Sequence, residues 1–157
     1  IKEHFGNIKM PENPKPRPEY DLPNHKETFV AIESDKEASF SQVQVMFKDQ
    51  ENSTPDKTLA QYRESIVEGL FSQMLNNRLQ ELTNNEKPPF VFGYSYHGGT
   101  YVKSKDAYQS VAMTKEDGQL NAFKTLLEEN QRVKQHGFFE GEFERAKKEI
   151  LARMERA

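Results

Sequence analysis

The sequence predicts an α+β fold in which an antiparallel sheet of about four strands is covered on one face by helices. Apolar residues recur every three or four positions in the long segments of the chain and alternate with polar residues in the short ones. The predicted order is two strands, a long helix, two strands and two helices. Short turns join each strand pair, which favours antiparallel pairing. This order is typical of a two-layer sandwich rather than of a βαβ series.

The chain opens with the end of a helix and a proline-rich strap. Ile1, Phe5 and Ile8 lie at helical spacing, and we expect residues 1–9 to be the end of a linker helix from an upstream domain. Residues 10–26 hold five of the eight prolines, which favours extended polyproline-like chain over helix. Residues 27–157 then form the predicted single α+β domain.

Two strands are predicted at the start of this domain. Residues 27–35 are rich in β-forming side chains and end in a turn. In the next segment Val43, Val45 and Phe47 alternate with polar residues. One apolar and one polar face are typical of a sheet that is covered on a single side.

A long amphipathic helix is predicted from Pro55 to Leu82. The hydroxyl of Thr54 is suited to cap it, and proline is tolerated at the first helical position. Apolar residues repeat along the segment at intervals of three and four, so we expect one face of the helix to cover the sheet.

The third strand is predicted to carry an all-aromatic face made of Phe90, Phe92, Tyr94 and Tyr96. Gly98 and Gly99 indicate a tight turn after it. We expect the two phenylalanines to be core beneath the long helix. The two tyrosines are the predicted contact pair for an extended peptide, because aromatic rings pack against side chains and a sheet edge hydrogen-bonds a peptide backbone.

The last three elements follow in order. A fourth strand is predicted at residues 107–113 and a helix at 120–133, which Gly137 ends. Apolar residues at helical spacing predict a final helix from Phe143 to Met154.

The composition narrows the class of protein. The 22 basic and 25 acidic side chains are interspersed and give a net charge of −3, so nothing supports a nucleic-acid partner. No run approaches the roughly 18 apolar residues that a membrane span requires. The chain has no cysteine, which excludes disulfides, thiolate zinc sites and a cysteine nucleophile.

No catalytic or metal-binding motif is present in the sequence. The four histidines, His4, His25, His97 and His136, do not form a helical ligand pair, and neither H-E-x-x-H nor H-x-x-E-H occurs. There is no G-x-S-x-G nucleophile elbow and no glycine-rich phosphate loop. We therefore assign no catalytic residue and no metal ligand to the chain.

Five segments together resemble one family. The chain is similar to the non-catalytic, zinc-free domain of the pitrilysin or insulinase-type zinc metallopeptidases, the inverted zincins. The likeness spans nearly the whole chain and keeps the family order of its parts. The segments are HFGNIKMPENPKPRPEYDLPNHKE from His4, ESDKEASFSQVQVMF from Glu33, YRESIVEGLFSQMLNNRLQEL from Tyr62, PPF from Pro88 and GFFEGEFERAKKEIL from Gly137.

The resemblance implies a role in a larger enzyme. In this family one α+β domain carries an H-x-x-E-H zinc site, and a following domain of the same fold has lost it. The domains or subunits close like a clamshell around a chamber that admits unfolded peptides. The resemblance thus implies an inactive domain with no cofactor of its own, zinc in the parent's catalytic domain, and other domains and unfolded peptide as partners. Bacterial relatives are often exported, which implies a periplasmic location.

The resemblance also implies candidate substrate-binding residues. The family's C-terminal half carries an Arg and a Tyr that reach towards the substrate, and Arg78 and Tyr94 occupy loosely similar places. The stretch from Leu82 to Phe90 between them departs from the family pattern. We therefore expect Arg78 to pair with an acid near the helix end and Tyr94 to line the chamber. Arg78, Tyr94 and Tyr96 are the candidate substrate-binding residues.

Two other functions remain open from the sequence. The first is a structural scaffold, like the peptidase-like subunits of respiratory complexes that do not cleave peptides. The second is a stand-alone peptide-binding module. An intact H-x-x-E-H motif upstream would favour the peptidase over the scaffold.

Overall fold

A computed structural model describes residues 2–9, 11–18, 20–50, 58–115 and 117–156 of the chain. These residues form a three-stranded sheet and four helices, which confirms the α+β class. The elements in chain order are α1 (Lys2–Phe5), β1 (Ser41–Lys48), α2 (Leu59–Leu82), β2 (Phe92–Gly99), β3 (Asp106–Thr114), α3 (Gln119–His136) and α4 (Glu140–Glu155).

The sheet is antiparallel, as expected, with the strand order β1-β3-β2. Ser110 at the middle of β3 lies opposite Val45 on one side and Ser95 on the other. Because β1 and β2 both run antiparallel to β3, they point the same way, and α2 connects them across it. The unit β1–α2–β2 is thus a split β-α-β arrangement with β3 inserted between its two strands.

The predicted count of about four strands is wrong for the described part of the chain. Residues 27–35 belong to no strand, and Phe29, Val30 and Ile32 are 74%, 78% and 87% exposed. The apolar residues of this segment are consecutive rather than alternating, so no single face could be buried against the helices. High β propensity does not make a strand without a ladder partner and a covered face.

The helices cover one face of the sheet but do not form one simple layer. α2 packs on β2, and α3 packs on β3 and β1. α4 packs mainly against α2, so α2 lies between the sheet and another helix. This placement explains why apolar side chains occur all around α2 and not only on its sheet-facing side.

The described helix ends follow local capping rules. Thr58 is extended, and its hydroxyl accepts a hydrogen bond from the Gln61 N–H while the Gln61 side chain accepts one from the Thr58 N–H. α2 therefore begins at Leu59, and the predicted start at residues 54–55 lies outside the described residues. Gly137, at φ 66°, ends α3 as predicted, because this backbone conformation favours glycine.

The core lies between α2, α3 and the sheet. Leu75, Leu79 and Leu126 are at most 1% exposed and pack with Ala112 and Phe90. Phe90 is thus core, as predicted.

Gly93 is required beside this ring, because a Cβ there would lie 2.8 Å from Cε2 of Phe90. The glycine lets the aromatic ring lie directly against the strand backbone.

Candidate functional site

Strand alternation gives the sheet a covered and an uncovered face. The uncovered side, here called the open face, presents the residues Gln42, Gln44, Phe92, Tyr94, Tyr96, Gln109 and Val111. A shallow cavity of about 200 Å³ lies on it and extends to Tyr101 in the loop after β2. Its described lining residues carry no formal charge. This chemistry suits a neutral or weakly charged extended ligand.

An aromatic ladder runs along β2 on the open face. The ring centroids of Phe92 and Tyr94 are 5.5 Å apart, and those of Tyr94 and Tyr96 are 5.8 Å apart with nearly parallel planes. The structure therefore brings the two predicted contact tyrosines together.

The prediction that Phe92 belongs to the core is wrong. Phe92 pairs with Met113 and is 45% exposed beside Tyr94. Phe90 precedes the regular strand, so its side chain is released from the alternation and turns under the helices.

A chain of amides fixes Tyr96 in place. The Gln44 side chain donates to Oε1 of Gln109 at 2.7 Å, and Nε2 of Gln109 donates to the Tyr96 hydroxyl at 2.7 Å. Gln109 is only 3% exposed, although it lies on the uncovered side. Since the Tyr96 oxygen accepts this bond, its own hydrogen remains available to donate to a ligand.

Arg78 lies on the other side of the sheet from the two tyrosines. Its Nε donates to Oε1 of Glu142 at 2.5 Å, and its Nη2 donates to Oε2 of Glu142 at 2.7 Å and to the Gly137 carbonyl at 3.1 Å. The guanidinium also lies 4.8 Å from the ring centre of Phe138. The expected pairing of Arg78 with an acid is thus confirmed. Its role in binding substrate stays a prediction.

The contact between Arg78 and Glu142 shifts the pKa values of both side chains. The hydrogen bonds from Arg78 lower the pKa of Glu142, and this effect outweighs the opposing effect of burial. The same bonds raise the pKa of Arg78. Two buried atoms beside the pair, Nη1 of Arg78 and Oε2 of Glu129, have no hydrogen-bond partner in the described part of the chain. Among the described residues, Glu142 is the carboxylate that hydrogen-bonds the guanidinium, and the nearby charges of Glu129 and Glu81 add to its neutralisation.

His97 joins three parts of the fold through two carboxylates. Its Nδ1 lies 2.9 Å from Oε1 of Glu68 on α2, and its Nε2 lies 2.9 Å from Oδ2 of Asp49, which follows β1. Burial lowers the pKa of His97, but hydrogen bonding and charge from Asp49 and Glu68 outweigh it and raise the pKa above the ordinary value.

These contacts do not make a zinc site. Both ring nitrogens of His97 already contact a carboxylate oxygen at 2.9 Å, so neither faces an open position for a metal ion. Among the residues that the structure describes, no group of three or more His, Asp or Glu side chains is placed to hold a metal ion.

The way in which the edge of β2 is closed was missed in the sequence analysis. Asn76 on α2 accepts from the Ser95 N–H at 2.7 Å and donates to the Ser95 carbonyl at 2.8 Å, so its amide replaces a neighbouring strand at that position. The small residues Gly93 and Ser95 between the aromatics were the available signal, since they permit close approach of α2. A peptide on this part of the sheet thus contacts the open face rather than the backbone of Ser95.

One known protein shares sequence with the chain. Over 90 residues, 57% of this chain, the sequence is 31% identical to a protein described as zinc protease PQQL-like from Arabidopsis thaliana. The match spans 9% of that protein's length. No protein-family model matches the chain, and no solved structure matches it significantly. None of the described helices is long and apolar enough to cross a membrane. Part of this chain is thus similar in sequence to part of a protein described as a zinc protease.

Proposed function

We propose that the chain is a domain of a larger zinc-dependent metalloendopeptidase and that it has no catalytic centre of its own. Its open face forms part of the wall of the chamber that encloses peptide substrates. The similarity to a zinc protease over 90 residues carries this proposal. The absence of H-E-x-x-H and H-x-x-E-H from the sequence supports the assignment of the zinc-bound water to another domain.

The chemistry of the open face supports the substrate role. Tyr94 and Tyr96 offer adjacent aromatic surface, and the hydroxyls and amides beside them offer hydrogen bonds. An unfolded peptide presents apolar side chains and unpaired backbone groups, which such a surface holds without requiring a specific sequence. The wall contributes confinement and positioning while the partner domain performs hydrolysis.

The test compares two tyrosines in the full-length parent protein. Tyr94→Ala should raise KM for an unfolded peptide several-fold and leave the zinc content unchanged. The matched control is Tyr62→Ala, because Tyr62 is 58% exposed on α2, away from the open face. Equal KM values for both variants would refute the role of the open face.

The assignment of catalysis to another domain has a separate test. The purified 157-residue chain should not cleave unfolded peptide when zinc is supplied. Cleavage that a chelator abolishes would overturn that part of the proposal. A parent protein without zinc and without peptidase activity would instead support the scaffold.

A further inference from the structure

The segment Pro11–Pro18, here called the proline-rich segment, makes no packing contact that buries it. All its residues are exposed, and none is in a helix or strand. Its sequence, PENPKPRP, favours the polyproline II helix, which forms no internal hydrogen bonds. Its carbonyl groups and pyrrolidine rings are therefore available to a partner surface.

The chain that follows this segment is tied down at one end of the open face. The Ser104 hydroxyl donates to the Tyr20 carbonyl at 2.9 Å, and the Asn24 amide donates to the Gln50 carbonyl at 2.8 Å. Ser104 belongs to the loop between β2 and β3, which also carries Tyr101 at the margin of the cavity. The proline-rich segment thus leaves the body of the domain beside the open face.

The open face has the chemistry that recognises polyproline II chains. Such chains dock in grooves lined by aromatic rings, where proline rings pack on the aromatics and hydroxyl or amide groups donate to the peptide carbonyls. Tyr94 and Tyr96 supply the rings, and the free hydrogen of the Tyr96 hydroxyl supplies a donor. Lys15 and Arg17, between the prolines, are suited to lie over the exposed Tyr101 ring.

The length of the proline-rich segment also matches the length of β2. Eight residues of polyproline II chain span about 25 Å at roughly 3.1 Å per residue. The eight residues of β2 span about 26 Å at roughly 3.3 Å per residue. A segment that starts beside the loop after β2 can therefore follow the aromatic ladder to its far end at Phe92.

We propose that the open face is a binding site for a proline-rich peptide in the polyproline II conformation, and that its occupant is the chain's own proline-rich segment. The segment is exposed in the structure and is poised to close over the ladder as an intramolecular strap. In the proposed peptidase the strap and a peptide substrate compete for this same face. The binding test below measures only contacts within the chain, so its outcome does not depend on peptidase activity.

The test measures binding of the synthetic peptide PENPKPRP to two forms of the full chain. In the variant Pro14→Ser/Pro16→Ser/Pro18→Ser the strap is weakened, while its charges and length are kept. This variant should bind the peptide at least about tenfold more tightly than the unmodified chain, because a tethered strap competes at a high effective concentration. A peptide with serine in place of every proline should not bind.

A tyrosine substitution locates the site. Tyr94→Ala in the triple variant should weaken peptide binding at least about tenfold, whereas Tyr62→Ala on the helical side should leave it unchanged. Thermal unfolding of each variant verifies that the fold is retained.

Three results would overturn the proposal. The first is no saturable binding to the triple variant, and the second is binding that Tyr94→Ala does not weaken. The third is equal affinity of the unmodified chain and the triple variant, which would show that the segment does not occupy the face. Self-association of the unmodified chain that the triple variant loses would assign the strap to a second copy and refute the intramolecular form.

Discussion

The Arg78–Glu142 pair predicts a large loss of stability when Glu142 becomes glutamine. The two side chains are only 10% and 14% exposed, and Glu142 accepts two bonds from Arg78 and one from the Phe139 N–H at 2.7 Å. Glutamine keeps the shape and one oxygen acceptor, but it turns an NH₂ group towards a donor and removes the carboxylate that is hydrogen-bonded to the guanidinium. The charges of Glu129 and Glu81 remain nearby but form no hydrogen bond with Arg78 among the described contacts.

The expected size follows from this geometry. Breaking a buried ion pair by removing one partner costs about 3–5 kcal/mol. Because the amide oxygen of glutamine retains one bond, we expect the lower end, about 3 kcal/mol. At roughly 2–4 °C per kcal/mol for a domain of this size, the melting temperature should fall by about 6–12 °C.

Denaturant unfolding of the 157-residue chain measures the loss. The matched control is Glu144→Gln, two positions along α4, where the carboxylate is 47% exposed and lies 3.7 Å from Lys147. A surface pair of this kind contributes about 0–1 kcal/mol, so the control should be nearly neutral. Equal losses in the two variants would refute the interpretation of Arg78 as a buried cation that depends on Glu142.

Two further predictions concern the sheet and its link to α2. Gly93→Ala should destabilise the chain by about 1–3 kcal/mol because the new Cβ collides with the buried Phe90 ring. Gly69→Ala should instead stabilise it by about 0.5–1 kcal/mol, because the space around Gly69 on α2 is open and alanine favours the helix. If denaturant unfolding shows the same sign for both variants, the packing argument is contradicted. The pKa of His97 is raised in the folded state, so its contribution to the free energy of unfolding is complete below the unfolded pKa of about 6.5 and is lost as pH rises through the folded value. His97→Gln should therefore lower the melting temperature at about pH 6 more than at about pH 9, and equal losses at both would refute the ionic role.

The sequence predicted elements wherever a local rule was sufficient. Val43 and Val45 alternate with glutamines, and this alone predicted which side of β1 the helices cover. Gly137 marked the end of α3 because only a residue without a Cβ takes its conformation readily. These signals depend on neighbours along the chain, so they predict an element without knowledge of the tertiary structure.

The predictions that were wrong concern segments whose structure depends on residues far away in the sequence. Phe29 and Val30 have strong β propensity, but a strand also needs a partner at the sheet edge and a surface to bury. Phe90 and Phe92 are alike in sequence, and only the position at which pairing with β3 begins sends one to the core and the other to the open face.

The candidate site was predicted in part for the same reason. Alternation was enough to place Tyr94 and Tyr96 side by side. The contribution of Gln44 and Gln109 required the register between β1 and β3, which no local pattern specifies. Gln42 and Gln44 at alternate positions of β1 indicated a polar face, but not that Gln44 would contact a buried Gln109 that holds the Tyr96 hydroxyl.

The two sides of the sheet differ in the charge of their side chains. The ion pairs of Arg78 and His97 lie on the helical side, where they link different parts of the fold. The open-face cavity is lined by neutral aromatic and amide side chains. Because the lining of the open-face cavity carries no formal charge, recognition there depends on stacking and hydrogen bonds. A surface of that kind discriminates between chains by shape and by the availability of backbone carbonyls, which is why a polyproline II strap and an unfolded peptide are both suited to it.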